Sequence, residues 1–181
     1  MGDNIESVVL GGGCFWCIEA VFDLLPGVVS ATSGYAGGAT ADPTYQAVCG
    51  GDTGHAEVVK VEYDADQVSL EDVLDVFFTG HDPTTPNRQG ADAGTQYRSI
   101  VLYDSGEQKA RVESYLAGIA DKYVGPVVTE LEPLERFYPA EEYHQKYFEK
   151  NPHQGYCRVV ISPKVSKVRE KLERGREYLE E

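Results

Sequence analysis

The stretch Val8-Val9-Leu10-Gly11-Gly12-Gly13-Cys14-Phe15-Trp16-Cys17-Ile18-Glu19-Ala20-Val21-Phe22-Asp23-Leu24-Leu25 changes its hydrophobic period once, and that change decides the fold. Val8-Val9-Leu10 is a short apolar strand that runs into glycine. From Ile18 onward the apolar residues Ile18, Val21, Phe22 and Leu25 fall at i, i+3, i+4 and i+7, the spacing of one buried helix face. Pro26-Gly27 stops the pattern. The unit is strand, glycine turn, helix, with Cys14 and Cys17 on the helix's first turn.

Working outward, Val28 to Tyr35 predicts a second strand and Ala36 to Gly54 a glycine-rich loop, after which Glu57 to Tyr63 alternates as a third strand. Ser69-Leu70-Glu71-Asp72 resembles a helix start, Leu70, Val73, Leu74, Phe77 and Phe78 supply its buried face, and Gly80 ends it. His81 to Gln96 is a second polar loop, too long to be a mere connector. Tyr97 to Tyr103 follows as a strand, Glu107 to Tyr123 as a helix, Val127 to Leu134 as a strand and Ala140 to Glu149 as a short helix. The tail holds Tyr156-Cys157-Arg158, a Val159-Val160-Ile161 run and a charged helix from Val165 to Leu179. This order predicts an α+β chain: a two-layer α/β sandwich with a ferredoxin-like split βαβ core, long loops and a C-terminal tail. Residues 1–181 read as one catalytic domain whose tail, from about residue 150 to 181, carries Cys157.

Composition bounds the function. Hydrophobic residues make up 41% and charged residues 25%, which is ordinary globular material. No apolar run approaches the ~20 residues of a membrane helix, and Met1-Gly2-Asp3-Asn4 has no basic signal region, so a cytoplasmic location is the expectation. Sixteen basic against 30 acidic residues give a formal charge of −14, which repels phosphate backbones and argues against a nucleic-acid partner. A salt-adapted surface has the same signature, and composition does not separate it from plain solubility. The four cysteines are too few and too unevenly spaced for a secreted disulfide framework, which leaves catalysis or metal binding.

Chemistry concentrates at Cys14. A thiol attacks as its thiolate, and a helix start offers free N–H groups and a positive dipole end that lower thiol pKa. Cys17, one turn on, is spaced to close a small disulfide ring. The alternatives are inert structural thiols or half of a zinc site, but zinc needs a second close ligand pair and Cys49 and Cys157 stand alone. No metal or cofactor is therefore expected. Phe15 and Trp16 are core residues by default, yet beside a nucleophile they also suit the wall of a pocket for a methyl thioether. Glu57 sits where a polar loop enters an apolar strand. It is either an outward-facing strand residue or, if buried, a proton donor of raised pKa. Asp92 in Gly90-Ala91-Asp92-Ala93-Gly94 has a plain reading as turn chemistry, Tyr97 as a strand-edge filler and Tyr45 as a loop anchor.

Taken together, the chain closely resembles the A-type peptide methionine sulfoxide reductases. The resemblance is carried by Gly12-Gly13-Cys14-Phe15-Trp16, Gly34-Tyr35-Ala36-Gly37-Gly38, Pro43-Thr44-Tyr45 and Gly54-His55-Ala56-Glu57-Val58. It continues through His81-Asp82-Pro83-Thr84, Gly94-Thr95-Gln96-Tyr97-Arg98-Ser99 and Phe137-Tyr138-Pro139-Ala140-Glu141-Glu142-Tyr143-His144-Gln145. It implies that Cys14 attacks the sulfoxide sulfur and Glu57 protonates the oxygen. Tyr45, Asp92 and Tyr97 would hold or bridge to that oxygen, and Phe15 and Trp16 would receive the methyl group. It further implies selectivity for the S epimer, free or within proteins, and thioredoxin or a similar dithiol as reductant, with no cofactor. A sulfenic acid left on Cys14 condenses readily with a nearby thiol. The protein is expected to act as a monomer.

One departure matters. Many family members carry glycine where this chain has Cys17, and their resolving thiols lie in the tail. Cys17 and Cys157 are both candidates here. The expected order is Cys17 first, with Cys157, which the nearby Gly155 could let swing toward Cys14, relaying the disulfide outward; the reverse order, or a bystander Cys157, stays open. Cys49 is expected to be a packed thiol, His55 a shaping residue, and His144 a support for the site from a distance.

Overall fold

The computed structural model describes residues 4–177, so Leu179, the expected end of the last helix, lies outside the described residues. In chain order the elements are β1 (Ile5–Gly11), α1 (Phe15–Phe22), β2 (Val28–Ala36), α2 (Tyr45–Cys49), β3 (Ala56–Asp64) and α3 (Leu70–Gly80). A two-residue ribbon, β4 (Arg88–Gln89) and β5 (Asp92–Ala93), precedes β6 (Ile100–Tyr103) and α4 (Gly106–Ile119). Then come β7 (Glu130–Pro133), β8 (Phe137–Pro139), α5 (Tyr147–Lys150) and α6 (Ser162–Glu177).

The main sheet runs β7-β6-β1-β3-β2-β8. Every neighbouring pair is antiparallel except β6–β7. β1 and β2 are thus parallel with β3 inserted between them, and β3 and β6 are parallel with β1 inserted. These are two interlocked split βαβ units, as the alternation of elements predicted. Strand alternation divides the sheet's residues cleanly. Val8, Leu10, Val59, Val61 and Tyr63 face the helical layer, where α1, α3 and α6 bury Phe15, Ile18, Phe22, Leu74, Phe77 and Val168. Val9, Ala56, Val58, Ile100 and Leu102 face the other way, under Leu134 and Phe137, beside a hollow of about 720 Å³. Ser69 starts α3 with a complete capping box, its side chain accepting from Asp72 N–H while Asp72 accepts from Ser69 N–H.

Four local differences from the sequence reading have physical causes. The loop 36–54 contains α2, because Thr44 caps it by accepting from Ala47 N–H. The strand expected from Tyr97 begins at Ile100, because Thr95–Tyr97 wind into a 3₁₀ turn after Gly94 at φ +146°. Phe137–Pro139 adds an edge strand to β2, and the aromatic ring of Phe137 lies so close to Gly34 that a side chain there has no room. The helix expected over 140–149 is broken at Lys146, which sits in the left-handed region at φ 55° and is held there by Asp23.

The C-terminal segment is also not a loose tail. Cys157–Ile161 form a π-turn that leads directly into α6, and Cys157, Ile161, Val165 and Val168 are all buried against the helical layer. This amphipathic stripe fixes Cys157 in the core, so the expected swing about Gly155 is not available to it in this arrangement.

Candidate active site

The glycine turn holds Cys14 at the N-cap of α1 by close backbone packing. A side chain on Gly12 would collide with the His81 ring, and Gly13 adopts φ +93° against the Gln89 side chain. His81 is itself pinned: its Nδ1 donates to Phe77 O at 2.7 Å and its Nε2 pairs with Ser99 Oγ at 2.8 Å. Burial pushes its pKa down to about 4, so it braces the turn as a neutral ring. Gly13 N–H donates to Tyr97 O at 3.1 Å, which ties the 3₁₀ turn to the loop.

Glu57, at the head of β3, is 1% exposed and accepts a hydrogen bond from Phe15 N–H at 3.1 Å. A free amide of the helix start is thereby spent on the carboxyl. Burial raises the Glu57 pKa to about 8, against the pull of that amide and with help from Asp92 and Cys17. The carboxyl therefore carries its proton at neutral pH, as the buried alternative in the sequence reading required.

The acidity expected of Cys14 is corrected. Cys14 is 7% exposed, and burial, the Cys17 thiol and the Glu57 carboxyl hold its thiol well above its ordinary pKa. The Trp16 N–H opposes them, but weakly, and no first-turn amide makes a well-directed cap bond to the sulfur. Cys17 moves the other way, down to about 7, chiefly because the Cys14 thiol donates to it and despite its own burial. The helix start thus presents two interacting thiols whose acidity belongs to the pair.

Around the pair stands an aromatic wall. Phe15 is buried between Tyr35, His144 and Tyr45, with ring centroids 5.8, 5.1 and 6.5 Å away. Trp16 is only partly buried. It stacks on Tyr147 at 3.7 Å with an interplanar angle of 7°, and its Nε1–H donates to His144 Nδ1 at 3.1 Å. His144 therefore carries its own proton on Nε2, 3.5 Å from Glu141. His144 touches the site directly instead of supporting it from a distance. Replacing His144 by leucine leaves the indole N–H without an acceptor, with an expected loss of about 1–3 kcal/mol in urea unfolding. An unchanged unfolding midpoint would show that the contact carries no weight.

The structure brings Cys14, Cys17, Glu57, Phe15, Trp16, Tyr45, Asp92 and Tyr97 to one place. Burial and the nearby Glu57 carboxyl raise the Tyr97 phenol, and burial, Cys49 and Glu57 raise that of Tyr45, so both remain neutral hydroxyls. Asp92, on β5, accepts from Tyr156 O–H at 2.6 Å, and the same hydroxyl lies 3.8 Å from Cys17 Sγ. The sequence reading did not single out Tyr156 or Tyr147; the only available signal for Tyr156 was its place next to Cys157. Cys157 lies behind Cys17, near enough for their charges to interact. Cys49 is exposed at the end of α2 beside Tyr45 and is not the packed thiol expected. His55 braces the 38–40 loop, accepting from Gly38 N–H and donating to Thr40 O, in line with a shaping role.

The family model "Peptide methionine sulfoxide reductase" matches residues 6–176. A peptide methionine sulfoxide reductase MsrA of Halobacterium salinarum is 60% identical over 169 residues, covering 92% of this chain and 96% of that protein. The crystal structure of reduced Mxr1 from Saccharomyces cerevisiae superposes with a TM-score of 0.81 at 37% identity, over 87% of this chain and 92% of that one. Mxr1 in complex with Trx2 superposes with a TM-score of 0.59 at 27% identity, over 81% and 88% of the two chains. On this similarity, over nearly its whole length, the chain belongs to the peptide methionine sulfoxide reductase family and is an oxidoreductase.

Proposed function

We propose that the protein reduces the S epimer of methionine sulfoxide, free or in proteins, through a sulfenic acid on Cys14, and is regenerated by thioredoxin. The observation that carries this reading is the neutral, buried Glu57 beside the buried Cys14 thiol, joined to it through the Phe15 amide. A sulfoxide oxygen is a weak leaving group unless it is protonated, and a carboxyl with a pKa near 8 holds a proton to give. As Cys14 attacks the sulfoxide sulfur, Glu57 protonates the oxygen, and the Cys14 proton passes to Cys17, its neighbour one turn along the helix start. Tyr45, Tyr97 and Asp92 orient the oxygen, while Phe15 and Trp16 receive the methyl group. Methionine leaves, and the oxygen stays on Cys14 as a sulfenic acid.

Cys17 then condenses with the sulfenic acid, releasing water and forming the first disulfide. The place of Cys17 one turn from Cys14, with its N–H donating to Cys14 O at 3.1 Å, supports this order, as does the burial of Cys157 in the π-turn. Cys157, which lies behind Cys17, next attacks Cys17, and the bridge reaches the surface when the 157–161 turn leaves the core. The complex of Mxr1 with Trx2 supports thioredoxin as the final dithiol.

A mixed-epimer sulfoxide peptide supplied with thioredoxin, thioredoxin reductase and NADPH tests the activity. The S epimer should be consumed and the R epimer left; loss of both, or of neither, overturns the reading. Mapping disulfides after stoichiometric sulfoxide without reductant tests the order. A Cys14–Cys17 bridge is expected first, giving way to Cys17–Cys157 as Cys14 is released, and a first bridge of Cys14–Cys157 with Cys17 free overturns the order.

A further inference from the structure

We propose that Tyr156 is a further catalytic residue of the resolving step: its hydroxyl relays the proton of Cys17 to Asp92 as Cys17 attacks the Cys14 sulfenic acid. The inference rests on the reading of Cys17 as first resolving thiol. Three groups stand in series. The Tyr156 oxygen lies 3.8 Å from Cys17 Sγ, and its hydrogen goes to Asp92 Oδ2 at 2.6 Å. A phenol has a single proton. With that proton committed to Asp92, the oxygen faces Cys17 as an acceptor, so the chain runs from S–H to phenol oxygen and from phenol O–H to carboxylate.

The ring is held for this task. Its edge meets the Trp16 indole at 5.8 Å and 78°, and the π-turn that follows begins at the next residue. Such turns occur disproportionately at functional sites. Burial, the two thiols and Asp92 all raise the Tyr156 pKa far above the usual phenol range. The hydroxyl therefore holds no charge of its own, and it passes a proton only by accepting one as it gives one.

The need for a relay follows from the first half-reaction. Cys17 ends that step holding the Cys14 proton and must lose it to attack. Sulfur–sulfur bond formation then breaks the sulfur–oxygen bond on Cys14. The Cys17 proton moves to Tyr156, the Tyr156 proton to Asp92, and the Asp92 proton to the departing hydroxide, which leaves as water. Tyr156 and Asp92 return to their starting states, and no outside oxidant or reductant is required. Asp92 stands at the end of the chain, held to the Tyr156 hydroxyl at 2.6 Å.

Tyr156→Phe, in the full chain, separates the steps. One equivalent of sulfoxide peptide is added without reductant, and methionine and disulfide formation are each timed. In the parent, disulfide formation keeps pace with methionine formation. In Tyr156→Phe, methionine formation should stay within about threefold, whereas disulfide formation slows by roughly 10²-fold, as expected for loss of a positioned proton transfer. The sulfenic acid should then become trappable with dimedone. An unchanged disulfide rate, or equal slowing of both steps, overturns the relay. A parent whose first bridge is Cys14–Cys157 removes the underlying reading instead, and the two failures are told apart by mapping the parent's disulfide.

Discussion

Cys14→Ser is expected to abolish sulfoxide reduction, with methionine formation falling on the order of 10⁴-fold or more. The size of the effect follows from chemistry that no neighbour can replace. A serine hydroxyl is far less acidic than a thiol and cannot accept the sulfoxide oxygen to give a sulfenic acid. Cys17 does not substitute for it, because it sits a turn further along α1 against Tyr156 and away from the Phe15–Glu57 contact. Serine is close in size, and its hydroxyl can still donate toward Cys17 as the Cys14 thiol does. The variant should therefore fold, with a thermal midpoint within a few degrees of the parent. Methionine released from a sulfoxide peptide, measured by chromatography, is the readout. Retention of more than about 1% of parental activity in a fully folded variant would remove Cys14 as the nucleophile.

What the sequence displayed of this site depends on the distance over which each residue acts. The α1 stripe, the Ser69 capping box and the period-2 strands β1 and β3 are local patterns, and the element order alone implied the split βαβ core. Edge strand β8 escaped notice because three residues ending in proline give no periodic signal. The relations of Trp16 to His144 and of Asp92 to Tyr156 span 128 and 64 residues, so no local pattern displays them. The family resemblance marked the blocks in which His144 and Asp92 stand but not the bonds between them. The acidity of Cys14 was misjudged for a related reason. The helix start is visible in the spacing, whereas the desolvation that outweighs it arises only when β3 and the 89–97 loop fold against the glycine turn. Gly155 alone suggests a mobile Cys157, because burial of the Cys157–Ile161–Val165–Val168 stripe depends on α1 and α3 being there to receive it.

Glu57→Gln is expected to slow methionine formation by roughly 10²–10⁴-fold while making the protein more stable at neutral pH. Glutamine keeps the shape of glutamate and an oxygen to accept from Phe15 N–H, but it has no acidic proton to give. The loss should appear in the single-turnover rate, with alkylation of the thiols largely preserved. The stability effect has a definite sign. In the unfolded chain this carboxyl ionises near its ordinary value of 4.5, whereas the native pKa is about 8. Between these values the unfolded state binds fewer protons than the native state, so the parent loses stability as pH rises through the window and levels off above it. The glutamine variant lacks this slope. Parent and variant should therefore be alike near pH 4 and diverge to roughly 2–4 kcal/mol in the variant's favour by pH 8, after allowing for the amide's imperfect hydrogen bonding. Urea unfolding at pH 4, 6 and 8 measures the divergence. A parent and variant with parallel pH profiles would mean that Glu57 is ionised in the native protein and cannot be the proton donor. Equal single-turnover rates would exclude it by the other route. The stability cost and the catalytic proton have the same origin, the burial of one carboxyl beside Cys14, so the two measurements should stand or fall together.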